Sequence, residues 1–259
     1  MAERNRALYL IACCAQKRPG GGPLWSKIRE ERKLNKFPQL NSAREELMDF
    51  YSNITEEEID RVYKAPGGTS DRAHEKRLRA FQKNLDLETS PTMAARMRYR
   101  GFAYKKIPWM GRDSAKGDPN NVLIMSALMG LIHPDDFIPD YELMMKDSSS
   151  LTRGPSGRVK TVSRYWQVQM REFQPTFAET YPDLEYIYCF MSTTTGYVDA
   201  IRPLLSGYDS YVVDTNRRGV AKITSSWGEG VKRCAPTLVR PADVERKLEK
   251  MECELRSER

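Results

Sequence analysis

Three short segments of this chain carry hydroxyl groups or positive charge directly after an apolar run. They span residues 13–18, 126–136 and 192–197. Hydroxyls, backbone N–H groups and one or two cations at a common edge suit a phosphate group or a polar base. The positions expected to take part are Lys17, Ser126, Gly130, Ser192, Thr193, Thr194 and Tyr197. Two simpler interpretations stay open, because Ser192 and the threonines are typical of a helix cap and Lys17 with Arg18 of a solvated pair.

The elements that position these segments alternate between strands and helices. Apolar runs predict strands at residues 7–13, 122–125, 186–191 and 211–214. Helical patterns occupy residues 72–87, 92–106 and 163–180, and capping-box sequences predict further helices that begin at Ser42 and Thr55. This alternation indicates an α/β fold. Ligands of such folds gather at the carboxyl ends of the strands, so the three polar segments are expected to meet.

Two prolines stiffen the second polar segment. Pro134 and Pro139 flank Asp136, and Gly130 permits close approach of a ligand or of the next turn. An acidic side chain held at the carboxyl end of a strand is better suited to chemistry or ligand orientation than to solvation. The open alternative is that Asp136 caps a turn or helix. We expect Asp136→Asn to impair ligand handling far more than stability, with a loss of about 1 kcal/mol or less.

Positive charge concentrates in one region of the chain. The 259 residues include 42 Lys and Arg against 35 Asp and Glu, a net charge of +7. Residues 61–116, the basic region, hold 14 of the basic residues but only five acidic ones, and they are predicted to be mainly helical. Such an imbalance indicates an anionic partner, most often nucleic acid, or else a solvated helical surface.

Cations and aromatic rings interleave at the end of the basic region. The candidate contacts to nucleic acid are Arg96, Arg98, Arg100, Lys105 and Lys106, interspersed with Tyr99, Phe102 and Tyr104. Basic side chains contact phosphates and aromatic rings stack on bases, so the pattern suits nucleic-acid binding. The three aromatic residues are equally typical of a hydrophobic core.

Several classes of site are disfavoured by what the chain lacks. The five cysteines show no two-residue spacer, and the chain has only two histidines, so we expect no metal site and no cofactor. Neither a dinucleotide-binding glycine fingerprint nor a Walker loop is present. The adjacent pair Cys13 and Cys14 ends a buried strand, which should raise the thiol pKa and disfavour a role as a peroxide sensor.

Membrane association and secretion are also disfavoured. No apolar stretch approaches the roughly 20 residues that span a bilayer, and the N-terminal apolar run lacks a usual cleavage site, so we expect a cytosolic protein. Loops are predicted at residues 19–23, 66–70 and 146–160. At the C-terminus, residues 241–259 carry apolar side chains at helical spacing through Leu255 and are expected to form a docking helix.

Residues 126–145 form the most specific motif of the chain, and here the chain resembles the YaaA family, named for a bacterial peroxide-stress protein. The residues in register with that family's central block are Ser126, Gly130, Leu131, Pro134, Asp136, Ile138, Tyr141, Leu143 and Met145. Residues 98–104 match its upstream aromatic-x-Gly-x-x-Tyr segment. Met129, His133 and Glu142 replace a usual Tyr and two arginines of the family, so an anion site that relied on those arginines is altered.

The resemblance implies one YaaA-like domain over residues 1–259, with a central mixed sheet flanked by helices. It also implies DNA binding through a helix-hairpin-helix-like element and a link to survival of hydrogen peroxide. Our leading hypothesis is a nucleic-acid-binding protein, DNA in the first instance, with a pocket for a nucleotide or nucleobase.

Two other hypotheses stay open. In an enzyme acting on nucleosides or modified bases by glycosidic-bond cleavage or transfer, Asp136 would be the general base or would stabilise an oxocarbenium-like centre. Lys17 and His133 would then hold the anionic group, and Tyr141 would orient the base. In a plain binding module, the central block is only a structural turn.

Overall fold

The computed structural model describes residues 6–30, 36–64, 70–110, 121–153, 159–215, 218–235, 240–251 and 253–258. The strands are β1 (Ala7–Ala12), β2 (Met93–Ala94), β3 (Val122–Ser126), β4 (Gly130–Ile132), β5 (Phe137–Ile138), β6 (Ser148–Arg153), β7 (Val159–Thr161), β8 (Tyr186–Phe190), β9 (Asp209–Thr215) and β10 (Cys253–Ser257). The helices are α1 (Trp25–Glu30), α2 (Asn41–Ser52), α3 (Ile59–Val62), α4 (Asp71–Asn84), α5 (Ala95–Arg98), α6 (Phe102–Lys106), α7 (Val162–Thr180), α8 (Tyr197–Leu205), α9 (Val220–Cys234) and α10 (Pro241–Glu249). Within these residues, no helix combines the length and apolar character needed to cross a bilayer.

A mixed sheet organises the described part of the chain, with six strands in the order β10–β9–β8–β1–β3–β4. The inner strands β9, β8, β1 and β3 are parallel, whereas β4 and β10 are antiparallel edge strands. The α/β fold class is confirmed, and so are the four predicted strands. β1 and β3 read as continuous apolar runs because strands in the middle of a parallel sheet are buried on both faces.

A row of tyrosines crosses three neighbouring strands. Tyr9 on β1 pairs in register with Tyr188 on β8, and Tyr188 pairs with Tyr211 on β9. The ring centroids are 5.2 Å apart in the first pair and 5.6 Å apart in the second, and both pairs are stacked. These contacts hold the three parallel strands in one register and thereby align their carboxyl ends.

The prediction of one continuous helix over residues 92–106 is wrong. The segment instead contains β2 and the short helices α5 and α6. The chain between the two helices pairs with the segment after β1: Lys17 forms a bridge with Tyr99, and the Arg100 N–H donates to the Gln16 carbonyl at 2.8 Å. This pairing takes the backbone out of the helical conformation.

Two further predictions require correction. Part of the loop predicted at residues 146–160 is the antiparallel pair β6 and β7, with residues 154–158 outside the described part. The C-terminal docking helix ends at Glu249 as α10, and Leu255 lies in β10 opposite Val213 of β9. The spacing of the apolar residues suited a helix, but pairing with the sheet edge determines the structure of the last residues.

The predicted caps and loops have mixed outcomes. At Thr55 the capping box forms, since the Thr55 N–H donates to Glu58 Oε2 at 3.2 Å. At Ser42 it does not, because α2 begins one residue earlier. Residues 19–23 form a loop as predicted, residues 65–69 lie outside the described part, and α4 and α7 confirm the helices predicted at 72–87 and 163–180.

Candidate functional site

A chain of hydroxyl groups lies at the carboxyl ends of the central strands. Ser126, the last residue of β3, has its Oγ 2.7 Å from the Tyr141 Oη. The Tyr141 Oη lies 2.9 Å from the Tyr99 Oη. All three side chains are buried, and burial raises the pKa of both tyrosines well above its usual value. At neutral pH these groups are therefore hydroxyls that donate and accept hydrogen bonds, not phenolate bases.

Lys17 lies against the same two tyrosines. Its side chain is 1% exposed, and its Nζ is 4.2 Å from the ring centroid of Tyr141 and 5.9 Å from that of Tyr99. The nearest carboxylate in the described residues is that of Glu142, at 4.0 Å. No hydrogen-bond acceptor of the described residues lies within bonding distance of this ammonium group. The aromatic faces stabilise the cation without using its donors, which leaves them able to bind an anion.

The first and third polar segments also meet at this edge. The Cys13 Sγ lies 3.1 Å from the Tyr197 Oη at the start of α8. The three polar segments therefore meet at the carboxyl ends of the strands through Lys17, Ser126 and Tyr197, and Tyr141 joins them from the segment after β5. Beside them, the Cys14 Sγ accepts a hydrogen bond from the Gly101 N–H at 3.2 Å, and burial raises the pKa of this thiol to about 11.

Asp136 lies in a different set of contacts. It is 7% exposed, its Oδ1 accepts from the Lys36 N–H at 3.0 Å, and its Oδ2 accepts from the His133 N–H at 2.8 Å. Burial raises its pKa to about 6, an effect that these hydrogen bonds and the nearby Arg44 partly oppose. The carboxylate fastens its own turn to the segment before α2. The alternative interpretation of the sequence, in which Asp136 caps a turn, therefore describes these contacts.

His133 belongs to the same turn as Asp136. Its Nδ1 accepts a hydrogen bond from the Asp135 N–H at 3.2 Å. Burial, together with the nearby Lys36 charge, lowers the pKa of the imidazole below its usual value, so His133 is neutral at pH 7. The four residues predicted to be catalytic thus form two groups, Lys17 with Tyr141 and Asp136 with His133.

Two predicted ligand contacts have packing explanations. Gly130 has a φ of +65°, and a Cβ there would lie 2.6 Å from the Trp166 ring, so the glycine makes room for Trp166. Ser192 caps a short 3-10 helix of Thr193–Thr195, and its Oγ accepts from the Thr194 N–H at 3.1 Å. The capping interpretation therefore describes Ser192, while Thr193 and Thr194 remain exposed to solvent.

The predicted nucleic-acid contacts divide by exposure. Arg98 is 0% exposed and its guanidinium donates to backbone carbonyls, so the predicted phosphate contact is wrong for this residue. Arg96 is buried and its Nε donates to Asp135 Oδ1 at 2.5 Å. The cations that face solvent are Arg100, Lys105 and Lys106.

The aromatic residues of this segment divide in the same way. Tyr99 and Tyr104 are core residues, and the Tyr104 Oη donates to the Ala12 carbonyl at 2.9 Å. Phe102 is 44% exposed at the start of α6, and the Lys105 Nζ lies 5.5 Å from its ring centroid. The core interpretation therefore holds for the two tyrosines, and only Phe102 presents a ring to solvent.

Local acids neutralise part of the basic region. Ion pairs join Arg61 to Glu58, Arg77 to Asp60, Arg79 to Glu75, Lys83 to Asp140 and Arg96 to Asp135. Six exposed cations of the region have no carboxylate partner among the described residues: Lys64, Arg72, Lys76, Arg100, Lys105 and Lys106. The available positive charge is therefore smaller than the composition suggested.

Comparisons with known proteins agree with the central motif. The family model described as peroxide stress protein YaaA matches residues 8–187. A UPF0246 protein of Corynebacterium glutamicum strain ATCC 13032 is 33% identical over 142 residues, covering 52% of this chain and 50% of the relative. A UPF0246 protein of strain R of the same species is 32% identical over the same shares. The chain thus spans about half the length of these relatives.

Proposed function

Because the chain belongs to the YaaA peroxide stress protein family, which associates it with oxidative stress, we propose that it binds nucleic acid, DNA in the first instance. The contact surface is the exposed face of α6 together with Arg100, which lies two residues before the helix. This surface, called here the α6 face, comprises Arg100, Phe102, Lys105 and Lys106. A nucleotide or nucleobase binds separately, at the strand edge around Lys17.

The α6 face carries the proposal for DNA. Phe102, with 44% of its surface exposed, stands beside Lys105, so a stacking surface and a phosphate-binding cation are neighbours. α6 packs directly on α9, and a Cβ at Gly228 would overlap the Ala103 carbonyl. This close helix contact supports the exposed side chains on a rigid base.

The strand edge supports the second part of the proposal. The Lys17 ammonium lies beside the hydroxyls of Ser126, Tyr141 and Tyr99, and it has no hydrogen-bond acceptor among the described residues. A buried cation needs compensation, because removing a charge from water costs free energy unless an opposite charge or dipole replaces the lost hydration. The Glu142 carboxylate at 4.0 Å supplies part of that compensation, and a phosphate or a polar base oxygen would supply hydrogen bonds as well.

A salt titration of DNA binding tests the α6 face. If the three cations of the α6 face contact phosphates, affinity should fall about 40-fold between about 50 and 200 mM salt. The combined variant Arg100→Glu, Lys105→Glu and Lys106→Glu should weaken binding and reduce the slope of log affinity against log salt by about three.

The matched control reverses three exposed cations elsewhere, Arg171, Arg246 and Lys250 on and beside α7 and α10. Both triple variants carry the same charge, so a general electrostatic effect would weaken them equally. Loss confined to the α6 variant supports the proposed surface. Equal losses, binding that ignores salt, or no binding at about 50 mM salt would exclude it.

Catalysis on nucleosides is the second candidate function. The observation that favours it is the hydroxyl chain of Ser126, Tyr141 and Tyr99 beside Lys17, since hydrogen-bond donors arranged in advance around a cation suit a developing negative charge. Incubation with nucleosides, followed by chromatography for free base, tests this function. If free base is released, and Tyr141→Phe abolishes this release in a folded protein, the chain is an enzyme. If nucleosides bind but no base is released, the strand edge is a binding site only.

A further inference from the structure

We propose that a second cleft, on the opposite side of the bridge between Lys17 and Tyr99, binds a flat aromatic ring that carries one phosphate or carboxylate group. The cleft has a volume of about 520 Å³, and its walls are the loop after Lys17, the β2–α5 segment and the turn into β5. Sites for small organic ligands typically have volumes of about 300–1,000 Å³. Because side chains alternate along an extended chain, Lys17 enters the buried cluster while its neighbour Arg18 lines this cleft.

Arg98 fixes the walls of this cleft. Its Nη1 donates to the carbonyls of Arg18 and Gly20 at 2.5 and 2.8 Å. Its Nη2 donates to the carbonyls of Pro91 and Ile138 at 2.5 and 3.4 Å. One buried guanidinium therefore holds all three wall segments together, and a cleft built in this way keeps its shape without a ligand.

The loop also approaches β2 closely. A Cβ at Gly21 would overlap the Thr92 carbonyl oxygen, and the Gly22 N–H donates to the same oxygen at 2.8 Å. At Gly21 and Gly22 this wall is therefore backbone, which leaves that part of the cleft open.

The lining combines an apolar surface with a cation. Met93, Met97 and Phe137 form the apolar part, and Phe137 is 37% exposed although it lies on a strand. Thioethers and a phenyl ring suit the face of a flat aromatic group. Arg18 is exposed and has no carboxylate partner among the described residues, so its guanidinium is available for an anion.

These features together define the ligand class. Arg96 also lines the cleft and is held by Asp135, so the second guanidinium is already balanced and Arg18 supplies the net charge. One available guanidinium matches one phosphate or carboxylate, and the apolar floor matches a ring. Nucleoside monophosphates and aromatic carboxylates share this chemistry.

Calorimetric titrations distinguish the ring from the anion. The probes are adenosine 5′-monophosphate, benzoate, adenosine and inorganic phosphate, each added to the Lys17→Met protein so that the strand edge does not contribute. Comparing adenosine 5′-monophosphate with benzoate shows whether the ligand is a nucleoside monophosphate or an aromatic carboxylate. We expect at least one of them to bind about tenfold more tightly than adenosine or phosphate.

Two cleft variants and one control complete the test. Arg18→Gln should weaken the favoured probe about tenfold, and Phe137→Ala should weaken it several-fold. Arg171→Gln, an equivalent exposed change on α7, should have no effect. Thermal unfolding of each variant shows whether the fold is retained. If Phe137→Ala fails to fold, the effect of Arg18→Gln on probe affinity alone decides whether the cleft is the binding site.

The outcomes of this test separate the cleft from the α6 face. Binding that survives the α6 charge reversal but falls with Arg18→Gln supports the cleft whether or not DNA binds. Three outcomes overturn the proposal. The first is that inorganic phosphate binds as tightly as the anionic aromatic probes, and the second is that Arg18→Gln leaves their binding unchanged. The third is that neither adenosine 5′-monophosphate nor benzoate binds at millimolar concentration.

Discussion

Asp136 and Asp147 close two four-residue turns with the same set of hydrogen bonds. The Asp136 N–H donates to the His133 carbonyl at 3.0 Å and its Oδ2 accepts from the His133 N–H at 2.8 Å. The Asp147 N–H donates to the Met144 carbonyl at 3.0 Å and its Oδ2 accepts from the Met144 N–H at 2.7 Å. Each remaining oxygen accepts a distant backbone N–H, that of Lys36 or of Lys64.

This geometry changes the result expected for Asp136→Asn. Both oxygens of Asp136 accept backbone N–H groups, whereas asparagine has one acceptor oxygen and would place its NH₂ against the other N–H. One buried N–H then loses its partner, so we expect a loss of about 1–3 kcal/mol in the free energy of unfolding, above the limit that the sequence suggested. Chemical denaturation measures this change.

Asp147→Asn should behave in the same way, because its contacts are equivalent. Asp183→Asn is the matched control, since Asp183 is exposed and should tolerate the change. An Asp136→Asn protein with unchanged stability but impaired ligand binding would restore the direct role at the site that the sequence suggested.

The two buried carboxyl groups also predict how stability depends on pH. Burial raises the pKa of Asp136 to about 6 and that of Asp147 to about 7, from ordinary values of 3.8. Between the ordinary and the raised pKa the folded state binds more protons than the unfolded state, so stability falls as pH rises. The contribution is complete below about pH 4 and is lost as pH rises through about 6 for Asp136 and 7 for Asp147.

The size of this effect is measurable on Asp147 alone. A shift of about three pH units corresponds to roughly 4 kcal/mol. The difference in unfolding free energy between the unsubstituted protein and Asp147→Asn should therefore shrink by up to that amount from pH 4 to pH 8. A difference that stays constant with pH would show that Asp147 titrates normally, and a difference that grows with pH would show a pKa lowered in the folded protein.

Much of the fold was predictable because its strands are buried. The apolar runs of β1, β3 and β8 follow directly from their place inside a parallel sheet, and the polar segments after them meet where such strands end. The break between α5 and α6 was not predictable, since it depends on pairing with residues distant in sequence. Leu255 was misassigned for the same reason, because four-three-four spacing fits a helix until an edge strand pairs with it.

The sequence predicted where the candidate site lies better than it predicted which residues form it. Lys17 and Ser126 lie together as expected, because their segments follow neighbouring strands of the central sheet, and Tyr141 joins them from the segment after β5. Arg98 was misassigned, since composition does not distinguish an arginine that binds phosphate from one that binds buried carbonyls. The relevant feature is the glycine-rich loop at residues 19–23, since Arg98 donates to the carbonyl of Gly20 in this loop.

Lys17→Met tests whether the buried ammonium serves binding and not folding. The ammonium contributes no hydrogen bond to the described residues, and methionine retains most of its apolar stem. We therefore expect the free energy of unfolding to stay the same or rise by about 1 kcal/mol. In an Arg18→Gln background, which silences the second cleft, the change should abolish the stabilisation of the protein by a nucleotide in a thermal-shift assay.

The control for this experiment is Lys222→Met, an exposed lysine on α9. It should leave both the unfolding transition and the nucleotide effect unchanged. A Lys17→Met protein that unfolds several degrees lower would assign Lys17 a structural role and remove the strand edge from the proposed function.

Cys14 is expected to react slowly with peroxide despite the family's association with peroxide stress. Burial raises the pKa of its thiol to about 11, and the thiolate is the form that attacks peroxide. Relative to a free thiol with a pKa of about 8.5, the thiolate fraction at neutral pH is lower by roughly two orders of magnitude. Peptide mapping after limited alkylation of the folded protein should show Cys14 labelled about 100-fold more slowly than in urea. Replacing both Cys13 and Cys14 by alanine should leave nucleotide and DNA binding within a few-fold of the unsubstituted protein, because the protonated Cys14 thiol carries no charge and, among the described residues, the Cys13 thiol hydrogen-bonds only to the Tyr197 hydroxyl. Rapid sulfenic acid formation at Cys14 with stoichiometric hydrogen peroxide, or a large loss of binding in the folded double variant, would instead assign these thiols a direct role.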